Sequence, residues 1–223
     1  MLRACILAII AGYADTVGLL RFDAFAGLMT GNTVLLGIAL AEGNGLRALH
    51  YGAIILVFFV GVLTSRLLLR SHYPPALCLT LAAASLVVCT FYGMAQALIL
   101  AFAMGTQNAA ATRFGGATLN TVFITGNLQK FGEGLIGLLW PGQGRHAEAP
   151  PAVVAIYGLA WLFYAVGALF GALGHRLLAW PLLVPAAVLP FVLLRQTDLA
   201  ATPGNDVRKR RDADAKTSET RVP

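Results

Sequence analysis

Charge is scarce in this sequence. Asp, Glu, Lys and Arg make up only 12% of the 223 residues, and 58% are hydrophobic, whereas a soluble domain carries about 25% charge. With a mean hydropathy of +0.74, the composition excludes an ordinary soluble domain and points to a membrane protein in contact with the lipid bilayer. From Ser71 to Thr112 there is no Asp, Glu, Lys or Arg among 42 positions. A helix of that length would measure about 63 Å, twice a hydrocarbon core of about 30 Å, so the run must turn back once. Phe91 to Gln96, with Gly93 inside it, is the place for the turn.

Cysteine is also sparse. Cys5, Cys78 and Cys89 each lie within or beside an apolar run and form no C-x-x-C pair, which removes a zinc knuckle and a disulfide framework. No G-x-x-x-x-G-K-[ST], H-E-x-x-H or G-x-S-x-G occurs, and His50, His72, His146 and His175 all fall at segment ends or in loops. We therefore expect no metal, no cofactor and no serine nucleophile, and read the chain as not an enzyme. Asp15 alone leaves an intramembrane acid–base reaction open. The net charge of +6 is scattered between apolar runs and a tail, without an aromatic-basic module, so nucleic acid is not expected as a partner.

What is present is a series of apolar segments at about 4–20, 24–41, 48–69, 76–92, 96–112, 117–139, 151–174 and 178–194. Glycine, proline and charge coincide at most of the breaks, as turn chemistry at an interface requires. The expected fold is an all-α polytopic transmembrane bundle over residues 1–195, best counted as eight segments with six or seven as alternatives, some broken at glycine. Residues 196–223 hold six basic and five acidic groups and read as a disordered polar tail. Arg3 followed by Ala4 to Ala14 resembles a secretory leader, but the repeat described next argues for retention.

The two halves, about 4–92 and 96–195, match. Gly12-Tyr13-Ala14-Asp15 answers Gly105-Thr106-Gln107-Asn108, Arg21-Phe22 answers Arg113-Phe114, and Thr30-Gly31-Asn32 answers Thr125-Gly126-Asn127. Residues 51–68 align with 161–178, placing Gly61 on Gly171 and Arg66 on Arg176. Internal duplication of this kind is a frequent origin of transporter folds. Four spans per half would keep the repeats parallel and three would invert them; the segment count favours four. The basic tail places both termini in the cytoplasm.

Asp15 and Glu133 are the acidic residues inside apolar segments. An intramembrane acid is a functional candidate by default; here Asp15 is expected to face the bundle interior, to be protonated, or to find a donor such as Arg113 or Asn108, with Arg21 a further charge partner, or else to cap a helix break at Gly12 or Gly18. Glu133 lies three residues after Lys130 and reads as an interfacial pair. Asn32 and Asn127 need partners for a carbonyl and two N–H donors each, Gly31 and Gly126 admit a close backbone approach, and Thr30 and Thr125 can bond exposed carbonyls. Together with Asp15, Gln107 and Asn108 they form the candidate site for a small polar solute or ion, at helices broken near the midplane. The competing reading is glue, supported by Gly27-x-x-x-Gly31 and Gly167-x-x-x-Gly171, because small residues at this spacing let helices pack closely.

"AGYADTVGLL", "MTGNTVLLGIAL", "GTQNAAATRF" and "TGNLQK" resemble the YoaK-type family of bacterial multi-pass membrane proteins, a domain of unknown function, over about residues 4–195. The resemblance implies a polytopic protein of the bacterial inner membrane and supplies no substrate. Two functions from different classes follow: a small-solute or ion transporter, or a non-transporting membrane scaffold. Homo-oligomers are compatible with either.

Overall fold

The computed structural model describes residues 2–93, 95–110, 113–114, 117–118, 124–140 and 150–194. They form eight helices: α1 (Leu2–Phe22), α2 (Met29–Ala41), α3 (Gly45–Arg70), α4 (Pro75–Phe91), α5 (Gln96–Ala110), α6 (Ile124–Leu139), α7 (Pro151–Leu177) and α8 (Leu183–Leu194). Apart from one two-residue antiparallel pairing, Arg113 with Thr118 and Phe114 with Ala117, the described chain is all-α. Helices are what an apolar environment demands, since each satisfies its own backbone polar groups. The break expected after Trp140, Met94 within the expected turn and the disordered tail expected over residues 196–223 lie outside the described residues.

Local chemistry sets the helix ends. Asn44 caps α3, its Oδ1 accepting from the Arg47 N–H at 3.1 Å, and Gly43 before it has φ +67°, a conformation that side chains resist. Pro75 and Pro151 open α4 and α7 at positions where a missing N–H costs nothing. Three helices, α1, α3 and α7, are both long and apolar enough to cross a bilayer.

Two tight helix pairs organise the bundle. Gly12 abuts the Tyr164 carbonyl, Gly167 abuts the Ile9 carbonyl and Gly171 packs on Tyr13, which brings α1 against α7. Gly61 faces Phe102 and Gly105 faces Phe58, which brings α3 against α5. In every case a Cβ would run into backbone, so these contacts exist only because the residues are glycines. The main core lies between α1, α4, α5 and α8, with Leu7, Leu79, Leu86, Met104 and Leu189 buried in it.

The path of the chain departs from the four-span expectation at α2. The Gly27 and Leu28 N–H groups bond to Asp15, seven residues before the end of α1, about 10 Å down that helix. At its other end α2 turns at Glu42–Asn44 into α3, whose Arg47, His50 and Tyr51 reach back to Asp23 and Phe22. Residues 23–28 therefore enter the bundle from the end of α1, and α2 returns to the same end. Helix α2 doubles back instead of crossing.

On the described residues α6 runs the same way relative to α7: Phe131 packs on Gly158 and Gly134 on Val154, an antiparallel hairpin. The first helices of the two halves, α1 and α5, are antiparallel as well. Leu7 near the start of α1 meets Gln107 near the end of α5. The start of α5, Ala97 and Leu98, shares a cavity with Asp23 just beyond the end of α1. Matched segments are thus not parallel, contrary to the four-span count.

Candidate functional site

Asp15 is 2% exposed and lies two turns inside α1. Its Oδ1 accepts from the Gly27 N–H at 2.6 Å and the Leu28 N–H at 3.1 Å, and its Oδ2 accepts from the Tyr164 hydroxyl at 2.7 Å. The first two donors stand at the N-terminus of α2, where the helix leaves unsatisfied N–H groups and a partial positive charge. Leu28, at the cap position, supplies no side-chain acceptor, so a carboxylate from another helix does the capping. Three hydrogen bonds to one carboxyl group offset the cost of burying it.

Asn32 is fully buried and clamps the entering segment. Its Oδ1 accepts from the Phe25 N–H at 2.9 Å, and its Nδ2 donates to the Phe25 carbonyl at 2.8 Å and to Met29 Sδ at 3.7 Å. Three of the amide's four hydrogen-bonding valences are used within the chain. Gly31 is required beside it: a Cβ there would meet the Phe25 ring at 2.8 Å. Thr30 is exposed, whereas Asn32 is buried. The first Thr-Gly-Asn is thus a device for holding non-helical backbone inside an apolar bundle.

In the second half, Thr125 is exposed, Gly126 half-buried and Asn127 buried. Gln107 is buried and its Nε2 donates to the Leu7 carbonyl at 3.3 Å. Asn108 is half-buried with its Oδ1 enclosed. The structure brings Asp15, Gly31 and Asn32 together around residues 25–28, and leaves Thr30 and Thr125 outside.

Several partners differ from expectation. Arg21 donates to the Ala179 carbonyl at 3.4 Å at the bundle surface and does not reach Asp15, because it lies beyond the carboxylate by nearly two turns. Asn108 is not among the donors to Asp15, and the Arg113 side chain lies outside the described residues. Gly27 sits before α2 begins, so Gly27-x-x-x-Gly31 is not a helix-packing stripe, whereas Gly167-x-x-x-Gly171 is one. Glu133 accepts from Gln129 at 2.8 Å and Lys130 lies over the Tyr157 ring, 5.3 Å from its centroid, so these two do not pair. The sequence reading missed Tyr164 and Phe25. Tyr164 aligns with the apolar Ile54, so the repeat carried no signal for it.

The mouth of the entering segment is polar. Asp23, with φ +55°, turns the chain inward and pairs with Arg47 at 2.6 Å and with the Tyr51 hydroxyl at 3.1 Å. The Arg47 guanidinium bonded to it holds the Asp23 carboxyl below the usual carboxylate range. An open cavity of about 470 Å³ adjoins this cluster, lined on its apolar side by Leu46, Leu49, Ala97 and Leu98.

The pattern of residues and the bundle they build agree with the comparison to known proteins. Residues 3–194 match the family described as "Protein of unknown function (DUF1275)". The chain belongs to the DUF1275 family. DUF1275 relatives include the UPF0700 transmembrane protein YoaK of Bacillus subtilis (strain 168), 26% identical over 185 residues, which cover 76% of this chain and 81% of that one. The UPF0700 transmembrane protein RA0705 of Rhizobium meliloti (strain 1021) is 28% identical over 170 residues, covering 74% and 72%. No solved structure matches this DUF1275 chain. It is an integral membrane protein, as its relatives are named and its apolar helices require.

Proposed function

We propose that the protein is a small-solute or ion transporter of the bacterial inner membrane, built from two inverted repeats and performing no chemical step. The observation that carries this reading is the half-helix α2. Its N-terminus is held inside the bundle against the buried carboxylate Asp15. Transporters with inverted repeats place such discontinuous helices at the midplane, where their dipole ends face the solute. The reciprocal packing supports the repeat: α1 lies on α7 and α5 on α3, each through glycines, and α1 and α5 run in opposite directions. Three crossings and one doubled-back helix per half would invert the halves and bring both termini to one face, which the tail charge places in the cytoplasm.

Flux into proteoliposomes tests the assignment, comparing the wild type with Asp15→Asn and with Asn32→Ala/Asn127→Ala. Loss of flux in either is expected; unchanged flux of a transported solute in both sinks the site. The scaffold reading has its own support, because Asp15 bonds to the chain itself through both oxygens and Asn32 through both its oxygen and its nitrogen. It requires the same variants to lower the unfolding temperature in detergent while no solute tested is transported by the wild type.

A further inference from the structure

Asp15 and Asn108 occupy matched places in the two halves, and their surroundings are opposite. Both oxygens of Asp15 have donors, whereas Asn108 Oδ1 is enclosed and no donor reaches it among the described residues. Beside it, Gln107 is 0% exposed. Its orientation is fixed, since Nε2 donates to the Leu7 carbonyl and a reversed amide would set two acceptors against each other. Gln107 Oε1 is thereby left enclosed without a donor as well. Buried acceptors in this condition are rare and each calls for an explanation.

We propose that Gln107 Oε1 and Asn108 Oδ1 belong to a binding site for a small monovalent cation, an alkali ion or ammonium, at the C-terminal end of α5. The proposal deepens the transporter reading by naming its solute class, and rests on that reading only for the movement of the ion. Both groups are hard, neutral oxygen acceptors. They sit in the last turn of a helix that ends at Ala110, where unpaired carbonyls and the negative end of the helix dipole favour a cation. A divalent ion would call for carboxylates, and no group of three His, Cys, Asp or Glu suited to a metal occurs among the described residues. An anion would face two carbonyl oxygens and be repelled.

The test is thermal unfolding of the full-length protein in detergent at constant ionic strength, in choline chloride and in the chlorides of sodium, potassium, ammonium and magnesium. At least one small monovalent cation is expected to raise the unfolding temperature saturably by about 2–4 °C over choline, and magnesium is expected not to. Gln107→Leu and Asn108→Ala should abolish the shift, and Gln107→Glu, which adds a charge, should lower the half-saturating concentration about tenfold. Equal unfolding temperatures in choline and all three small cations would overturn the site. So would a shift retained in Gln107→Leu and Asn108→Ala, the result expected if these oxygens are merely hydrated. Should those variants fail to fold, an unchanged half-saturation in Gln107→Glu overturns it. Saturable stabilisation with no cation flux keeps the site and removes the transporter reading; cation flux without stabilisation does the reverse.

Discussion

At the scale of single residues, Asp15 bonds a different element with each oxygen: residues 27 and 28 on Oδ1 and α7 on Oδ2. Replacing it by Leu would strand two backbone N–H groups and a hydroxyl, each at about 1–3 kcal/mol, so Asp15→Leu is expected to lose about 3–9 kcal/mol. Tyr164→Phe removes only the Oδ2 bond and should lose about 1–3 kcal/mol. Chemical unfolding in detergent measures both, and a Tyr164→Phe protein as stable as wild type would show that the hydroxyl bond is worth nothing. The Asp23–Arg47 pair behaves differently, being exposed on both sides. A carboxyl held below its ordinary range contributes stability that is complete above the usual carboxylate pKa and is lost as the pH falls through the lowered folded value. The contribution is small for so exposed a pair, because solvent screens it. Arg47→Ala should therefore lower the unfolding temperature slightly at neutral pH and not at strongly acid pH, measured across the acid range.

At the scale of elements, glycine positions separate into two kinds. Gly105 and Gly167 lie against the backbone of a neighbouring helix, while Gly37 and Gly52 face open space. Gly105→Leu and Gly167→Leu should force the helices apart and prevent a stable fold. Gly52→Ala should be neutral or stabilising by up to about 1 kcal/mol. Thermal unfolding of this series checks it, and an unaffected Gly167→Leu would refute the packing. All eight segments were legible from hydropathy, since each helix lies within or close to a charge-poor run. The start of α2 was not. Ala24 to Leu28 is as apolar as any helix, and composition cannot distinguish a helical backbone from an irregular one whose N–H groups are satisfied by distant side chains. What was legible was the need of Asp15 and Asn32 for partners; what was not was that the partners are backbone groups of one short segment. The same reasoning explains Tyr164, an ordinary aromatic in an apolar helix until its hydroxyl is seen on Asp15.

At the scale of the whole molecule, the doubled-back α2 changes which faces the loops occupy. If α2 returns to the end it came from, Arg21 and Asn44 lie on one face and His72 on the other; four crossings per half would separate Arg21 from Asn44. In a variant without Cys5, Cys78 and Cys89, single cysteines at these positions should label with a membrane-impermeant thiol reagent so that Arg21→Cys and Asn44→Cys share a side and His72→Cys takes the opposite one. Labelling of Arg21→Cys and Asn44→Cys from opposite sides would refute the inverted arrangement.

The single carboxylate that ties α7 and the entering segment has a thermodynamic consequence. Two attachments to one group are linked, so whatever weakens one alters the free energy of the other, and by the same amount in both directions. Detachment of residues 27 and 28 must change how firmly α7 is held to α1. Conversely, Tyr164→Phe must change how readily that segment detaches, although the Tyr164 hydroxyl bonds to Asp15 and not to the segment itself. Asp15 thereby makes the position of α7 at Tyr164 report on the placement of a backbone segment more than 130 residues away in sequence.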